Sequence, residues 1–347
     1  MAKQALAVKY RPKRLEDVCE QKSVIQILRY MIEEKCFPNC FLFCGSAGCG
    51  KTTTARIVAN MINNGKGIPI EIDAASNSSV DDVRKIVEES KLRALDAEYK
   101  VYIIDECHVI SATGWQAFLK LIEEPPAKTI YVFCTTDPQK IPNTILSRIQ
   151  RFDFNKITYE TIVSRLKHII KCEQVEVNDL TYTDDAVSFI AKTSGGGMRD
   201  AITMLDKCIG YSHNVNMNTV VSALGVQDYT TYFKLLDSIL YNQPDKVIRI
   251  IEEVYFQGGD LKLFVKNFIT FLLDLSKYNL LHDYKYIQIP NTFDNQLKSI
   301  DRNDYGKLYD IRNTLIQLNA DIKWESAPKT LIEATMLQVC YESNRSN

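Results

Sequence analysis

Eight consecutive residues, Gly45-Ser46-Ala47-Gly48-Cys49-Gly50-Lys51-Thr52, carry the densest chemistry in the chain. Three glycines let a backbone curl so that its N–H groups converge on an anion. Lys51 adds a long positive arm and Thr52 a hydroxyl. The spacing G-x-x-x-x-G-K-[ST], after an apolar run and at the start of a helical pattern, is that of a loop cradling nucleotide phosphates. Lys51 is expected to reach the β- and γ-phosphates of ATP and Thr52 to ligate Mg²⁺, with the loop from Gly45 through Thr53 around them. A second apolar run, VYIIDECH (101–108), ends in two acids. Asp105 is expected to hold Mg²⁺, directly or through water, and Glu106 to orient and deprotonate the attacking water. Metal ligand and base together predict hydrolysis, not nucleotide storage. Thr136 closes TIYVFCTT and is placed to hydrogen-bond the γ-phosphate or the water, although residue type alone equally supports a turn threonine.

These residues need elements to hold them. The short apolar runs CFLFC (40–44), IPIEID (68–73), KVYIID (100–105), TIYVFCTT (129–136) and QRFDF (150–154) alternate with helical stretches such as KTTTARIVANMIN and WQAFLKLIEE. That alternation predicts a parallel sheet covered on both faces over residues 1–157. From 158 to 223 the strand signal vanishes, and YETIVSRLKHIIKCE, DDAVSFIAKTS and MRDAITMLDKCI predict a small helical domain broken at Gly195-Gly196-Gly197. Residues 224–347 read as a second helical domain, rich in apolar residues and without a chemical motif.

Bulk properties narrow the class. The 347 residues are 46% hydrophobic and 24% charged, with a net charge of -1, so no global field draws the chain to nucleic acid or membrane. DNA contact must come from a local patch. Neither a signal-peptide core nor a membrane-length apolar stretch is found, which predicts a cytoplasmic protein. The ten cysteines are scattered, several within apolar runs, and are expected to be buried thiols.

The order of glycine-rich loop, Asp-Glu strand, polar strand end and then Ser147-Arg148 resembles the AAA+ ATPases. The chain further resembles the motor subunits of bacterial sliding-clamp loaders, the gamma/tau family of DNA polymerase III. The stretches that carry the resemblance include KYRPKRLEDVCEQ (9–21), IEIDAASNSSVDDVRKI (70–86), FLKLIEEPP (118–126), TTDPQKIPNTILSRIQRFDF (135–154), SGGGMRDAITMLD (194–206) and NADIKWESAP (319–328). The resemblance implies an α/β AAA+ P-loop domain, a helical lid and an all-α oligomerisation collar. It implies ATP-driven loading of a clamp onto primer–template DNA within a hetero-oligomeric, pentameric ring. Arg148 would be an arginine finger reaching the neighbour's γ-phosphate, where residue type alone supports a surface salt bridge. Arg199 would be a sensor touching the phosphates of its own nucleotide, and Arg11 and Pro12 would lie near the adenine. Sequence-independent DNA contact is expected at the helix starts Asn77, Ser78, Ser79 and Ser111, with Lys91, Arg93 and Lys100 as basic supplements.

Three departures from the family pattern stand out. The four-cysteine zinc module is replaced by MINNGKGIP, with no cysteine between Cys49 and Cys107. Cys36, Cys40, Cys44 and Cys49 lack paired short spacing, so no structural zinc is expected. Ser-Arg-Cys reads Ser147-Arg148-Ile149. The chain stops after the collar, without a tau-type extension, which together with the missing zinc module fits a bacteriophage-encoded version acting in host cytoplasm. Two rival functions are a non-hydrolysing scaffold subunit and a branch-migration or remodelling AAA+ motor.

Overall fold

The computed structural model describes residues 4–76, 80–90, 92–94, 96–225, 229–290, 293–300, 304–323, 325 and 327–342. The first part of the chain forms α1 (Leu6–Lys9), α2 (Lys22–Glu33), β1 (Cys40–Gly45), α3 (Lys51–Ile62), β2 (Ile70–Asp73) and α4 (Val80–Ser90). It continues through β3 (Lys100–Asp105), α5 (Ala112–Glu123), β4 (Thr129–Thr135), α6 (Asn143–Leu146) and β5 (Gln150–Phe154). The five strands lie where the apolar runs predict them and make one all-parallel sheet in the order β2-β3-β4-β1-β5.

Strand periodicity divides the core into two layers. Phe41, Phe43, Val101, Ile103, Ile130, Val132 and Cys134 face one side, where they pack with Val24 and Leu28 of α2 and Ala55 and Val58 of α3. Leu42, Cys44, Tyr102, Ile104, Tyr131 and Phe133 face the other side and meet Val83 of α4, Trp115 and Phe118 of α5 and Ile145 of α6. Both faces of β1, β3 and β4 are buried, so these strands read as nearly continuous apolar runs, whereas the edge strands β2 and β5 alternate in burial. The layered arrangement puts every β-to-α turn of interest at the carboxyl edge of the sheet, where open α/β sheets bind ligands.

The chain then forms α7 (Tyr159–Glu173), β6 (Thr181–Tyr182), α8 (Asp184–Thr193), α9 (Met198–Tyr211), β7 (Asn214–Val215) and α10 (Met217–Leu224). The two-residue parallel pair β6–β7 departs from the all-helical expectation. Two residues are too short for an alternating pattern to show, and only Val215 of the pair is buried. The remaining helices are α11 (Tyr229–Leu240), α12 (Pro244–Phe256), α13 (Leu261–Leu281), α14 (Asp294–Ser299), α15 (Asp304–Asp321) and α16 (Pro328–Glu342). In α13, Asp260 caps the first turn by accepting from the N–H groups of Lys262 and Leu263, and Phe264, Phe268 and Phe271 stack against Tyr232 of α11. No helix among the described residues is long and apolar enough to cross a membrane.

By compactness the chain divides into two units. One comprises residues 1–178 and 190–206, and the other residues 179–189 and 207–347. All residues of the site described next belong to the first unit.

Candidate functional site

The glycine-rich loop joins β1 to α3, as its sequence context requires. Gly48 sits at φ +71, a conformation that side chains rarely adopt. A Cβ on Gly48 would come within 3.1 Å of the Gly197 Cα, because the loop lies directly against the start of α9, where the Met198 N–H donates to the Gly48 carbonyl at 3.1 Å. Lys51 is 6% exposed, and its ammonium donates to the carbonyls of Gly45 at 2.9 Å and Ser46 at 3.0 Å. A buried charge held only by neutral acceptors leaves room for an anionic partner.

Thr52, one residue into α3, donates its hydroxyl to Asp105 Oδ2 at 2.7 Å, while Asp105 Oδ1 accepts from the Glu106 N–H at 3.0 Å. The tip of β3 and the first turn of α3 thus bring two hard oxygen donors together, a donor set that suits Mg²⁺. Glu106 occupies the left-handed region at φ 49. Its Oε2 accepts from the Thr136 hydroxyl at 3.1 Å and lies 3.3 Å from His108 Nδ1. The same ring nitrogen lies 3.3 Å from the Thr135 hydroxyl. Because β4 lies beside β3 in the sheet, its end places Thr136 opposite Glu106. The contact of His108 was not read from the sequence, where the residue looked like the tail of the acidic motif.

A cavity opens beside the loop. The N-terminal segment lines it with Tyr10, Arg11 and Pro12, the loop and α3 with residues 48–53, and α7 and α9 with Arg165 and Arg199. Arg11, Pro12, Arg199 and the loop residues 48–53, all expected to hold nucleotide or its phosphates, therefore meet here. Burial holds the Arg11 guanidinium below its ordinary range, and the nearby charges of Arg56 and Arg199 push the same way. Neither Arg11 nor Arg199 makes an ion pair with a described carboxylate, whereas Arg56 pairs with Glu71 of β2 at 2.5 Å. Like charges gathered in this way fit a polyanion. Arg165 was missed by sequence reading, since one arginine on the polar face of α7 looks like a solvated charge.

Other expected residues lie elsewhere. Arg148, between α6 and β5, does not line this cavity. It pairs with Glu123 at 2.9 Å and donates to the Thr144 carbonyl at 2.8 Å, with its side chain 41% exposed. Ser111 starts α5 as expected and accepts from the Gly114 N–H at 3.1 Å. Asn77, Ser78, Ser79 and Lys91 lie outside the described residues. Arg93 is exposed. Lys100 opens β3, at the opposite end of that strand from Asp105, and donates to the Glu89 carbonyl at 2.5 Å. Cys40, Cys44 and Cys49 are buried on β1 and in the loop, while Cys36 is exposed before β1.

Comparison with known proteins follows the same layout. Residues 68–158 match the family model for the DNA polymerase III delta subunit, and residues 161–214 that for the ATPase lid domain of the DNA polymerase III clamp loader subunit. Residues 215–346 match domain III of the DNA polymerase III subunits gamma and tau. The tau subunit of Bacillus subtilis is 32% identical over all of this chain. The chain belongs to the DNA polymerase III gamma/tau family. The Escherichia coli tau subunit is 31% identical over 74% of the chain, and that of Salmonella typhimurium 27% over 97%. This gamma/tau chain spans 65%, 43% and 55% of the length of those three relatives, respectively. Among solved structures, the Thermotoga maritima RuvB Holliday junction branch migration motor superposes with a TM-score of 0.50 at 23% identity, covering 67% of this chain and 79% of that one. At that identity the likeness concerns the fold.

Proposed function

We propose that this gamma/tau chain is an ATP-hydrolysing motor subunit that loads a sliding clamp onto primer–template DNA. The observation that carries the reading is the junction of three strand ends. There Thr52 meets Asp105 and Thr136 meets Glu106, while Arg11 and Arg199 gather in the cavity beside the loop. Residues 45–53 would hold the phosphates, Lys51 the β- and γ-phosphates, and Arg199 would sense them. Arg11 and Pro12 would wall the base end. Thr52 and Asp105 would hold Mg²⁺, which when bound supplies charge neutralisation on the phosphate oxygens. Glu106 would take the proton of the attacking water, and Thr136 would fix the carboxylate that does so.

The reading divides the chain at 157 and 223 into ATPase, lid and collar. It assigns the collar to assembly of a pentameric hetero-oligomeric ring in the cytoplasm, at the replisome. Arg148 would leave Glu123 and complete a neighbour's pocket. The free N–H groups at the α5 start would meet DNA phosphate without reading sequence. The test is steady-state ATP hydrolysis by the chain assembled with its partner subunits, with and without clamp and primed DNA. Turnover that rises with both supports the motor reading. Bound ATP without turnover under any combination would make the chain a scaffold. A branch-migration motor is the rival reading, and the domain III match over 215–346 favours a clamp loader. A closed homohexamer in native mass spectrometry would reverse that preference.

A further inference from the structure

The cavity wall formed by Tyr10, Arg11 and Pro12 has little local reason to stay in place. Its only regular structure, α1, is four residues long, with no side chain capping its start. A helix that short does not hold itself in water. Its position must come from tertiary contacts, and these converge on α7 and α9. Leu6 is fully buried, and its N–H donates to Asp206 Oδ2 at 2.9 Å. Lys9 and the Tyr10 hydroxyl both donate to Glu173 Oε1 at 2.8 Å. Arg165, eight residues earlier on α7, donates to the Tyr10 carbonyl at 3.1 Å. The residue immediately before Arg11 is thus pinned at its side chain and at its backbone by one helix. Lys9 makes a further bond to Glu176 at 2.7 Å.

Glu173 is the centre of this arrangement. It is a carboxylate with 0% exposure, near the end of α7, and among the described residues it accepts from both Lys9 and Tyr10 of the strap. A buried carboxylate is tolerated when it is paired and hydrogen-bonded, and removing the pairing is costly. Its charge also holds the Lys9 ammonium above the ordinary amine range, and burial together with the same carboxylate raises Tyr10. Glu173 lies outside the cavity. So do Asp105, Glu106 and Thr136, which do not line it. Its bonds therefore bear on the wall of the cavity and not on the ends of β3 and β4.

Resting on the ATPase reading above, we infer that Glu173 is a positioning residue for nucleotide, a buried latch that ties the Tyr10–Pro12 wall to α7. The latch also joins the strap to the segment matched by the lid-domain model, residues 161–214. Nucleotide affinity is then set partly by a group that never meets the ligand.

The test uses the full chain with its partner subunits. Equilibrium binding of a fluorescent ATP analogue and of the matching ADP analogue is measured beside hydrolysis at saturating ATP. Glu173→Gln keeps the shape of the side chain but weakens charge-assisted bonds to Lys9 and Tyr10. Affinity for both nucleotides is expected to fall about tenfold, with turnover at saturation within about twofold. A general loss of folding would lower both in proportion to the folded fraction. Affinity unchanged in a folded Glu173→Gln protein overturns the latch, as does a loss confined to turnover. If that variant fails to fold by circular dichroism, Lys9→Met removes one arm only, and an unaltered affinity there overturns it equally. Wild-type protein that binds neither analogue would instead sink the ATPase reading, whereas wild-type binding with an indifferent Glu173→Gln sinks the latch alone.

Discussion

Glu106 is held at φ 49, a left-handed backbone that costs a non-glycine residue about 1–3 kcal/mol. The conformation persists because the Thr136 hydroxyl, His108 and the end of β3 fix it from three directions. Glu106→Gln retains an oxygen for Thr136 but cannot accept a proton from water. Steady-state turnover should fall by roughly 10²–10⁴, with ATP affinity within about twofold by equilibrium binding. Full turnover in that variant would remove Glu106 from the mechanism. The cysteines make a second residue-scale case. Burial pushes the Cys44 thiol up to about 11 and the Cys40 thiol up to about 12, and it raises Cys107 and Cys134 as well. Thiolate is the reactive form, so these groups are inert at neutral pH and gain reactivity only as pH climbs toward those values. Iodoacetamide on the native protein at pH 8, read by peptide mass spectrometry, should label exposed Cys36 and spare Cys40, Cys44, Cys107 and Cys134. Rapid labelling of Cys44 without unfolding would contradict its burial.

At the scale of elements, the central strands β1, β3 and β4 were legible because both their faces are buried, which turns each into a nearly uninterrupted apolar run, while the edge strands β2 and β5 alternate in burial. The phosphate loop was legible because its glycines, Lys51 and Thr52 are fixed by local backbone geometry. Thr136 was legible only as a strand-end residue, and its hydrogen bond to Glu106 depends on β4 lying beside β3. The Glu173 latch and Arg165 were not legible at all. They join residues more than 150 positions apart, and on α7 alone each is an ordinary charge at helical spacing. The β6–β7 pair was too short to show. Ser111 shows how one element signal serves two readings. As the N-cap of α5 it accepts from the Gly114 N–H, whatever it does for DNA. Ser111→Ala should lower the chain's stability by about 0.5–2 kcal/mol, measured by urea denaturation. Ser111→Asp keeps a capping oxygen and should recover that stability, yet weaken DNA binding through charge repulsion, with a loss that shrinks as salt rises. Unchanged DNA affinity in Ser111→Asp would leave the residue a cap and nothing else.

For the whole molecule, the proposed motor turns on a charge that this chain does not place in its own cavity. Arg148 sits at the surface in an ion pair with Glu123, and such exposed pairs contribute about 0–1 kcal/mol. A bond that weak is readily exchanged for a phosphate, and an arginine finger supplied in trans contributes roughly 10³–10⁵ in rate. The two magnitudes separate the readings. Arg148→Ala should leave the thermal stability of the single chain nearly unchanged while hydrolysis by the assembly collapses by about three orders of magnitude. Lys51→Ala disables a subunit's own pocket but leaves its Arg148 intact. Assemblies formed from the two variants together should then regain hydrolysis at interfaces where an intact pocket faces an intact arginine, although neither variant hydrolyses ATP alone. Rates measured across mixing ratios should pass through a maximum, as pairing statistics require. A flat line at the level of the single variants, or a dilute single chain turning over at full speed, would place Arg148's role at Glu123 and leave each pocket complete by itself.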